Sequence, residues 1–355
     1  MSLDEIAKSF AVTKLPDSEV ELGGDIPFDT IVPYRARALK HLAEHAELPG
    51  FRPGHVPPDI LLKKVGEAGV LQEAVEMFMQ DFYPVLLETQ KVDAVGRPEI
   101  AITKLAPENP VGLKIRAAVY PEIALPKDWK KTGDKITAEP AALATDEDVE
   151  KTIESLRQAR KTKKEDGTEE IPEVTDEFAK SLGAFQTVDE LKAQIKKGIG
   201  EEKERAAKDA RRGKIIDALL AKTEVEVPRI FVESELEKIL AQMREDIGRM
   251  GLKFEDYLKH SNKTEDAIRD EFRDQAKKRA KLQLTLNKIA EVENIEADKE
   301  AVEAEIKHAF EHFPEANPEL VRIHIETVLK NEQVLRILEG DTAPVIAAPH
   351  DHSHE

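Results

Sequence analysis

The chain has 355 residues, 35% of them charged and only 5% aromatic, with a formal net charge of −18 and no cysteine. That length exceeds one ordinary compact core, and the composition favours extended, solvated helices over a single dense globule. The acidity argues against adhesion to nucleic acid along the whole molecule, the missing cysteine excludes disulfides and thiol chemistry, and no apolar run approaches the roughly 18 residues of a membrane span. The first residues, Met1-Ser2-Leu3-Asp4-Glu5, lack the basic start and apolar core of a secretory signal, so a cytoplasmic protein is expected.

Residues 1–120 read as a small α+β domain. Ser9–Leu15 and Glu19–Leu22 have strand character, separated by a Pro-Asp turn and closed by Gly23-Gly24. A helix is expected over 33–47, with Leu39, Leu42, Ala43 and Ala46 on one face. The decapeptide Pro49-Gly50-Phe51-Arg52-Pro53-Gly54-His55-Val56-Pro57-Pro58 follows. Its glycines permit turns and its prolines fix φ, so it reads as a stiff exposed loop with Phe51 and Arg52 at the tip. An aromatic beside an arginine on a rigid loop is the composition of an interaction hot spot. From Pro33 to Val65 six basic residues face three acids, a local basic end in an acidic chain. Its Arg35, Arg37, Lys40 and Lys64 are candidate RNA contacts, against the plainer reading of a solvated face.

A short helix over 59–65 comes next. The stripe Leu71, Val75, Phe78, Phe82, Val85 then steps by four and three, as one face of a helix does; Pro84 should kink it or open its last turn. Met77 and Met79 belong to this domain's packing. Two further strands, Glu99–Leu105 and Val111–Tyr120, complete the domain.

Residues 121–144, broken by Pro121, Pro126, Gly133 and Pro140, read as an extended linker. Trp129, the only tryptophan, should anchor it against a neighbouring body. Residues 145–340 read as almost all helix, over about 145–160, 174–182, 187–222, 228–250, 264–294, 298–313 and 317–339. Thr145 and Thr187 are each followed three residues later by an acid, the form of a capping N-terminus. The stretch 200–214 has no large apolar residue, so it should project into solvent or bridge two bodies. The helices at 228–250 and 264–294 carry apolar faces of which most must be core and a fraction exposed. Residues 341–355 read as a disordered tail.

No Gly-rich phosphate loop, ordered Ser-His-Asp set or paired carboxylate marks a catalytic centre, and no cofactor is implied. The pairs His41/His45 and His308/His312 have i,i+4 spacing but lack completing ligands, so surface histidines are the better reading than a metal site. His350, His352 and His354 are treated as incidental.

The order Gly50-Phe51-Arg52-x-Gly54-x-x-Pro57 between two helices resembles the ribosome-docking loop of the trigger factor family, bacterial chaperones of the ribosomal tunnel exit. Tyr120-Pro121-Glu122-Ile123 resembles that family's exit from its ribosome-binding domain. Pro228–Glu235, and Phe272-Arg273 through Glu293, resemble its substrate-binding arm. The series covers about residues 8–340 in family order. Two departures stand out. Pro53 occupies a position where the family often has lysine, leaving docking more to Phe51 and Arg52. And the twelve residues Lys161–Pro172, with no aromatic and one isoleucine, stand where the family usually inserts a prolyl-isomerase domain of the FK506-binding type.

The resemblance implies a ribosome-binding domain over 1–120 and a helical, armed substrate-binding domain over 145–340. It implies docking on the large ribosomal subunit through Gly50, Phe51, Arg52, Gly54 and His55, and sheltering of nascent or unfolded polypeptides without ATP. Client contacts are expected at Phe231, Met243, Ile247, Met250 and Phe272, and a homodimer off the ribosome. With the isomerase absent, no enzymatic activity is expected. The competing reading is a non-ribosomal holdase, or a helical adaptor that binds one folded partner.

Overall fold

The computed structural model of the chain describes residues 1–46, 51, 56–163 and 169–341. Contacts divide it into two compact units that are not consecutive in sequence: Met1–Ala124 with Glu224–Leu284, and Leu125–Thr223 with Thr285–Glu355. The first unit is closed where the chain returns, by an antiparallel bridge in which Ala124 and Glu224 exchange backbone hydrogen bonds at 3.0 and 3.2 Å.

The first unit opens with α1 (Leu3–Lys8), which Ser2 and Glu5 close by a reciprocal capping box. Strands β1 (Ala11–Leu15) and β2 (Glu19–Ile26) follow, then α2 (Phe28–His45), α3 (Pro58–Gln90), β3 (Ala94–Lys104) and β4 (Val111–Val119). The sheet is antiparallel in the order β1-β2-β4-β3. Its inward residues Val20, Leu22, Ile26, Val111, Leu113, Ile115 and Ala117 meet Val70, Ala74, Val75, Phe78, Phe82 and Leu86 of α3 in one buried core. These α3 positions recur every three or four residues, which is why this segment is helical and why one face is buried.

Three sequence expectations shift here. α2 starts at Phe28, so Pro33 lies inside it as the sixth residue, where it leaves the Asp29 carbonyl without its i→i−4 donor. The break in α3 falls at Gly66 (φ 78°, ψ 160°), not at Pro84, and it separates the two helical pieces read from the sequence. β2 runs through Gly23-Gly24 instead of closing there. A Cβ on Gly24 would lie 2.6 Å from the Phe10 ring, so this glycine lets an aromatic approach the strand.

The same unit contains α7 (Arg229–Arg249), α8 (Phe254–Ser261) and α9 (Glu265–Val292) as far as Leu284. α7 and α9 pair through Val232, Leu236, Ile239, Ala276, Ala280 and Leu284. The segment before α7 is fixed to the β1–β2 turn. The Ser18 hydroxyl donates to the Glu226 carbonyl and the Asp17 N–H to the Glu226 carboxylate, both at 2.8 Å.

The second unit holds α4 (Asp146–Ala159), β5 (Thr162–Lys163), β6 (Glu169–Glu170), α5 (Asp176–Leu182), α6 (Val188–Lys222), α10 (Lys299–His312) and α11 (Pro318–Glu339). Thr145, Thr175, Thr187, Asp298 and Asn317 cap their helices with side-chain oxygens. The linker forms two short 3₁₀ turns, Trp129–Lys131 and Gly133–Lys135, that pack on α11, with Trp129 buried. The polar stretch of α6 is pinned by charge. Arg212 makes paired hydrogen bonds with Glu332 and with Glu339 (2.6–3.1 Å), and Arg211 donates to the carbonyls of Ile136, Gly133 and Glu339. Of the tail, residues 342–355 lie outside the described residues.

Candidate functional site

The tip between α2 and α3 rests on a stiffened helix pair. The Arg35 guanidinium donates to both carboxylate oxygens of Glu67 at 2.7 and 2.9 Å, and this bond holds the Glu67 carboxyl below the usual range. The Tyr34 hydroxyl donates to Asp81 at 2.9 Å. Arg37 lies 5.3 Å over the Tyr34 ring and 3.7 Å from Asp81, and His41 meets Glu73 at 2.9 Å. Where the chain re-enters α3, Val56 and Leu61 are buried. Between these anchors Phe51 sits in a bend with 37% of its surface exposed. Gly50, Arg52, Gly54 and His55 lie outside the described residues.

This arrangement divides the four basic residues. Arg35 and Arg37 are engaged within the domain, so their charge stiffens the helix pair. Lys40, 3.9 Å from Glu44 and 81% exposed in its side chain, and Lys64, also exposed, face solvent. Sequence reasoning missed Val56, whose alternation with the neighbouring prolines gave no helical or strand period to find it by.

The client residues separate too. Met250 is 69% exposed, beside Leu252, at the α7–α8 turn. Met243 is half-buried. Phe231, 6.2 Å from Tyr120, and Phe272 are half-buried against the α7–α9 core. Ile247 is a correction: it is buried, because the α7–α8 turn folds back there, with the Leu252 N–H bonded to the Ile247 carbonyl. Sequence reasoning also missed α8, where Arg244 sits 5.0 Å over the Phe254 ring, and the exposed apolar residues Phe313, Leu320, Ile323 and Val328 near and along α11. The signal was present: α11 carries Leu320, Val321, Ile323 and Ile325 within six residues, more faces than one neighbour can cover. The pairing of α7 with α9 is fixed at its polar margin by Glu233, which accepts from Arg273 at 2.8 Å and from Arg269 at 3.2 Å; these bonds lower its carboxyl.

Between α4 and α5 the chain makes a two-residue antiparallel pairing, Thr162 with Glu170 and Lys163 with Glu169. Residues 164–168 lie outside the described residues. A segment this short cannot bury a core of its own. Among the described residues no group of three or more His, Asp or Glu is placed to hold a metal, and no helix is long and apolar enough to cross a membrane. The His41/His45 and His308/His312 rings lie against each other at 4.5 and 4.9 Å.

Residues 8–156 match the family model of bacterial trigger factor protein (TF), and residues 187–341 match that of its C-terminus. Trigger factor of Saccharopolyspora erythraea is 26% identical, over 84% of this chain and 81% of the relative. That of Halothermothrix orenii is 24% identical, over 88% and 92%. That of Shouchella clausii is 24% identical, over 76% and 82%. A solved structure from a study of promiscuous substrate recognition in folding and assembly by the trigger factor chaperone superposes with a TM-score of 0.52 at 19% identity, covering 94% of this chain and all of that one. With both family models matched in order, and with a four-stranded sheet near the N-terminus followed by helices, this chain belongs to the trigger factor family of ribosome-associated chaperones.

Proposed function

We propose that the chain docks at the tunnel exit of the large ribosomal subunit through the α2–α3 tip, with Phe51 and Arg52 as its principal contacts. The observation that carries this reading is Phe51 itself: an exposed aromatic in the connection between two helices that Arg35–Glu67 and Tyr34–Asp81 join. An exposed aromatic beside an arginine pairs two residue types enriched at interaction hot spots. Lys40 and Lys64 are the basic residues left to meet RNA phosphates, and their contribution should fall as salt rises. Unfolded chain is sheltered by dispersed apolar residues, Met250 and Leu252 at the α7–α8 turn and Leu320, Ile323 and Val328 on α11. Release needs no nucleotide, because each patch offers only a small apolar area and so a weak, fast-exchanging contact. The short connection between α4 and α5 supports a chaperone without prolyl isomerisation.

The test is co-sedimentation with purified bacterial ribosomes at low and moderate salt, wild type beside Phe51→Ala/Arg52→Ala. Binding that the double substitution abolishes supports the docking assignment. Binding indifferent to it assigns docking to another surface, and absence of wild-type binding leaves a free holdase. Catalysis of isomerisation in a proline-containing peptide by the pure protein would overturn the non-enzymatic reading.

A further inference from the structure

The helical layer of the first unit does not cover the whole inward face of its sheet. In the register, Ile100 of β3 stands opposite Ile115 and Ile102 opposite Leu113, and both partners are buried in the core. Ile100 and Ile102 therefore point to the core side. Yet Ile100 is 42% exposed, whereas Ile115 is fully buried. The reason is that α3 lies over the middle of the sheet and leaves its β3 margin open. The result is a groove of about 580 Å³ between α3 and β3. Val75 and Met79 form its floor, Ile100 and Ile102 one wall, and Gln72 and Glu76 its polar rim.

β3 is also an edge strand, paired only with β4. Its register is regular over Glu99–Ile102, beyond Pro98 and the bulge beside it, and there alternate residues present N–H and C=O groups on the free side, a template for a short added strand. A strand added there would turn every second side chain toward the groove, because side chains alternate at a period of two. The adaptable thioether of Met79 suits apolar side chains of varied shape. At the rim, the Glu76 carboxylate accepts from the Gln72 amide at 3.1 Å, and among the described residues no cation pairs with it. On the same strand Lys104 is engaged by Asp25 at 3.4 Å.

We infer that this groove is a binding site for an extended segment of unfolded polypeptide that adds to the β3 edge, places apolar side chains at alternate positions into the groove, and sets a Lys or Arg against Glu76. The inference rests on the chaperone reading and assigns it a client site on the sheet domain itself, separate from the helical arms. It also gives the client class a signature: alternating apolar residues with a neighbouring basic one.

Because the chain has no cysteine, a Gln72→Cys variant carries a single benzophenone label at the rim. The probe is a fluorescein-labelled octapeptide alternating Val with Thr and containing one Lys, beside its counterpart with Glu. The expected result is photocrosslinking of the Lys peptide, a yield about tenfold lower when Ile100→Lys is added, and a preference reversed toward the Glu peptide by Glu76→Lys. Circular dichroism should show both variants folded, and ribosome co-sedimentation should be unchanged, since neither residue lies at the α2–α3 tip. Crosslinking indifferent to Ile100→Lys, with suppression of aggregation of a denatured client intact, overturns the groove and leaves the chaperone reading standing. Loss of that suppression in the wild type defeats the chaperone reading itself. A crosslink between two copies of the chain without peptide would make the occupant a second copy and overturn the client assignment.

Discussion

The sheet domain and the α6–α11 contact are held together by different forces. In the first, one face of α3 and one face of the sheet bury a continuous apolar core, with Phe78 and Phe82 stacked at 5.0 Å. In the second, a helix with almost no large apolar residue over 200–214 is fixed by Arg211 and Arg212 to carboxylates and carbonyls more than seventy residues away. The Glu339 and Glu332 carboxylates push Arg212 above its already high range. The difference teaches how a chaperone can remain folded and still leave apolar surface open. The sheet domain is made rigid by burial, while the polar middle of α6 is positioned by charge and its buried apolar residues, Leu191, Ile215, Leu219 and Leu220, lie to either side of it.

Breaking the core should give the largest effect. Phe78→Ala removes a fully buried ring and should destabilise the first unit by about 3–5 kcal/mol, measured as the loss of its denaturant midpoint with the helical signal of the rest retained. Breaking the charged contact should cost less. Arg212→Met leaves Glu332 and Glu339 facing each other half-buried, a loss of about 2 kcal/mol that addition of Glu332→Gln should partly recover. An unchanged midpoint in Arg212→Met would mean that α6 is held by something other than this arginine. Ser2→Ala removes the cap of α1 and should cost about 1 kcal/mol, seen as faster amide exchange in residues 3–8.

The smallest effect sharpens the comparison through pH. Glu233 is lowered by its bonds to Arg273 and Arg269. A depressed carboxyl contributes stability above its unfolded value, and that contribution is lost as pH falls through the lower folded value. The α7–α9 pairing should therefore weaken only below the ordinary carboxylate range, by about 0.5 kcal/mol given its partial exposure. Glu233→Gln should flatten this acid limb; an acid limb that survives the substitution would assign it to other carboxylates.

Much of this was legible in the sequence where the signal is local. The α3 stripe, the Thr145 and Thr187 caps and the presence of the four strands each follow from patterns within a few residues. The Ser2-x-x-Glu5 box was equally local and was passed over because the first residues were judged only as a leader. Other features depend on partners that sequence cannot place. Arg35 and Arg37 read as free basic residues because Glu67 and Asp81 are 32 and 44 positions away, and Arg211 and Arg212 read as a solvated face for the same reason. Ile247 fits the apolar face of α7 equally well as core or as open surface, and only the fold of the α7–α8 turn decides.

The most direct test of the whole account is synthesis of an aggregation-prone protein in a reconstituted bacterial translation system lacking other chaperones. Wild type should raise the soluble yield at concentrations near that of the ribosomes. Phe51→Ala/Arg52→Ala, with its arms and groove intact, should reach the same yield only at about tenfold or greater excess, because docking raises the local concentration of client sites at the emerging chain. Equal protection by both proteins at equal concentration would contradict docking as the source of its action.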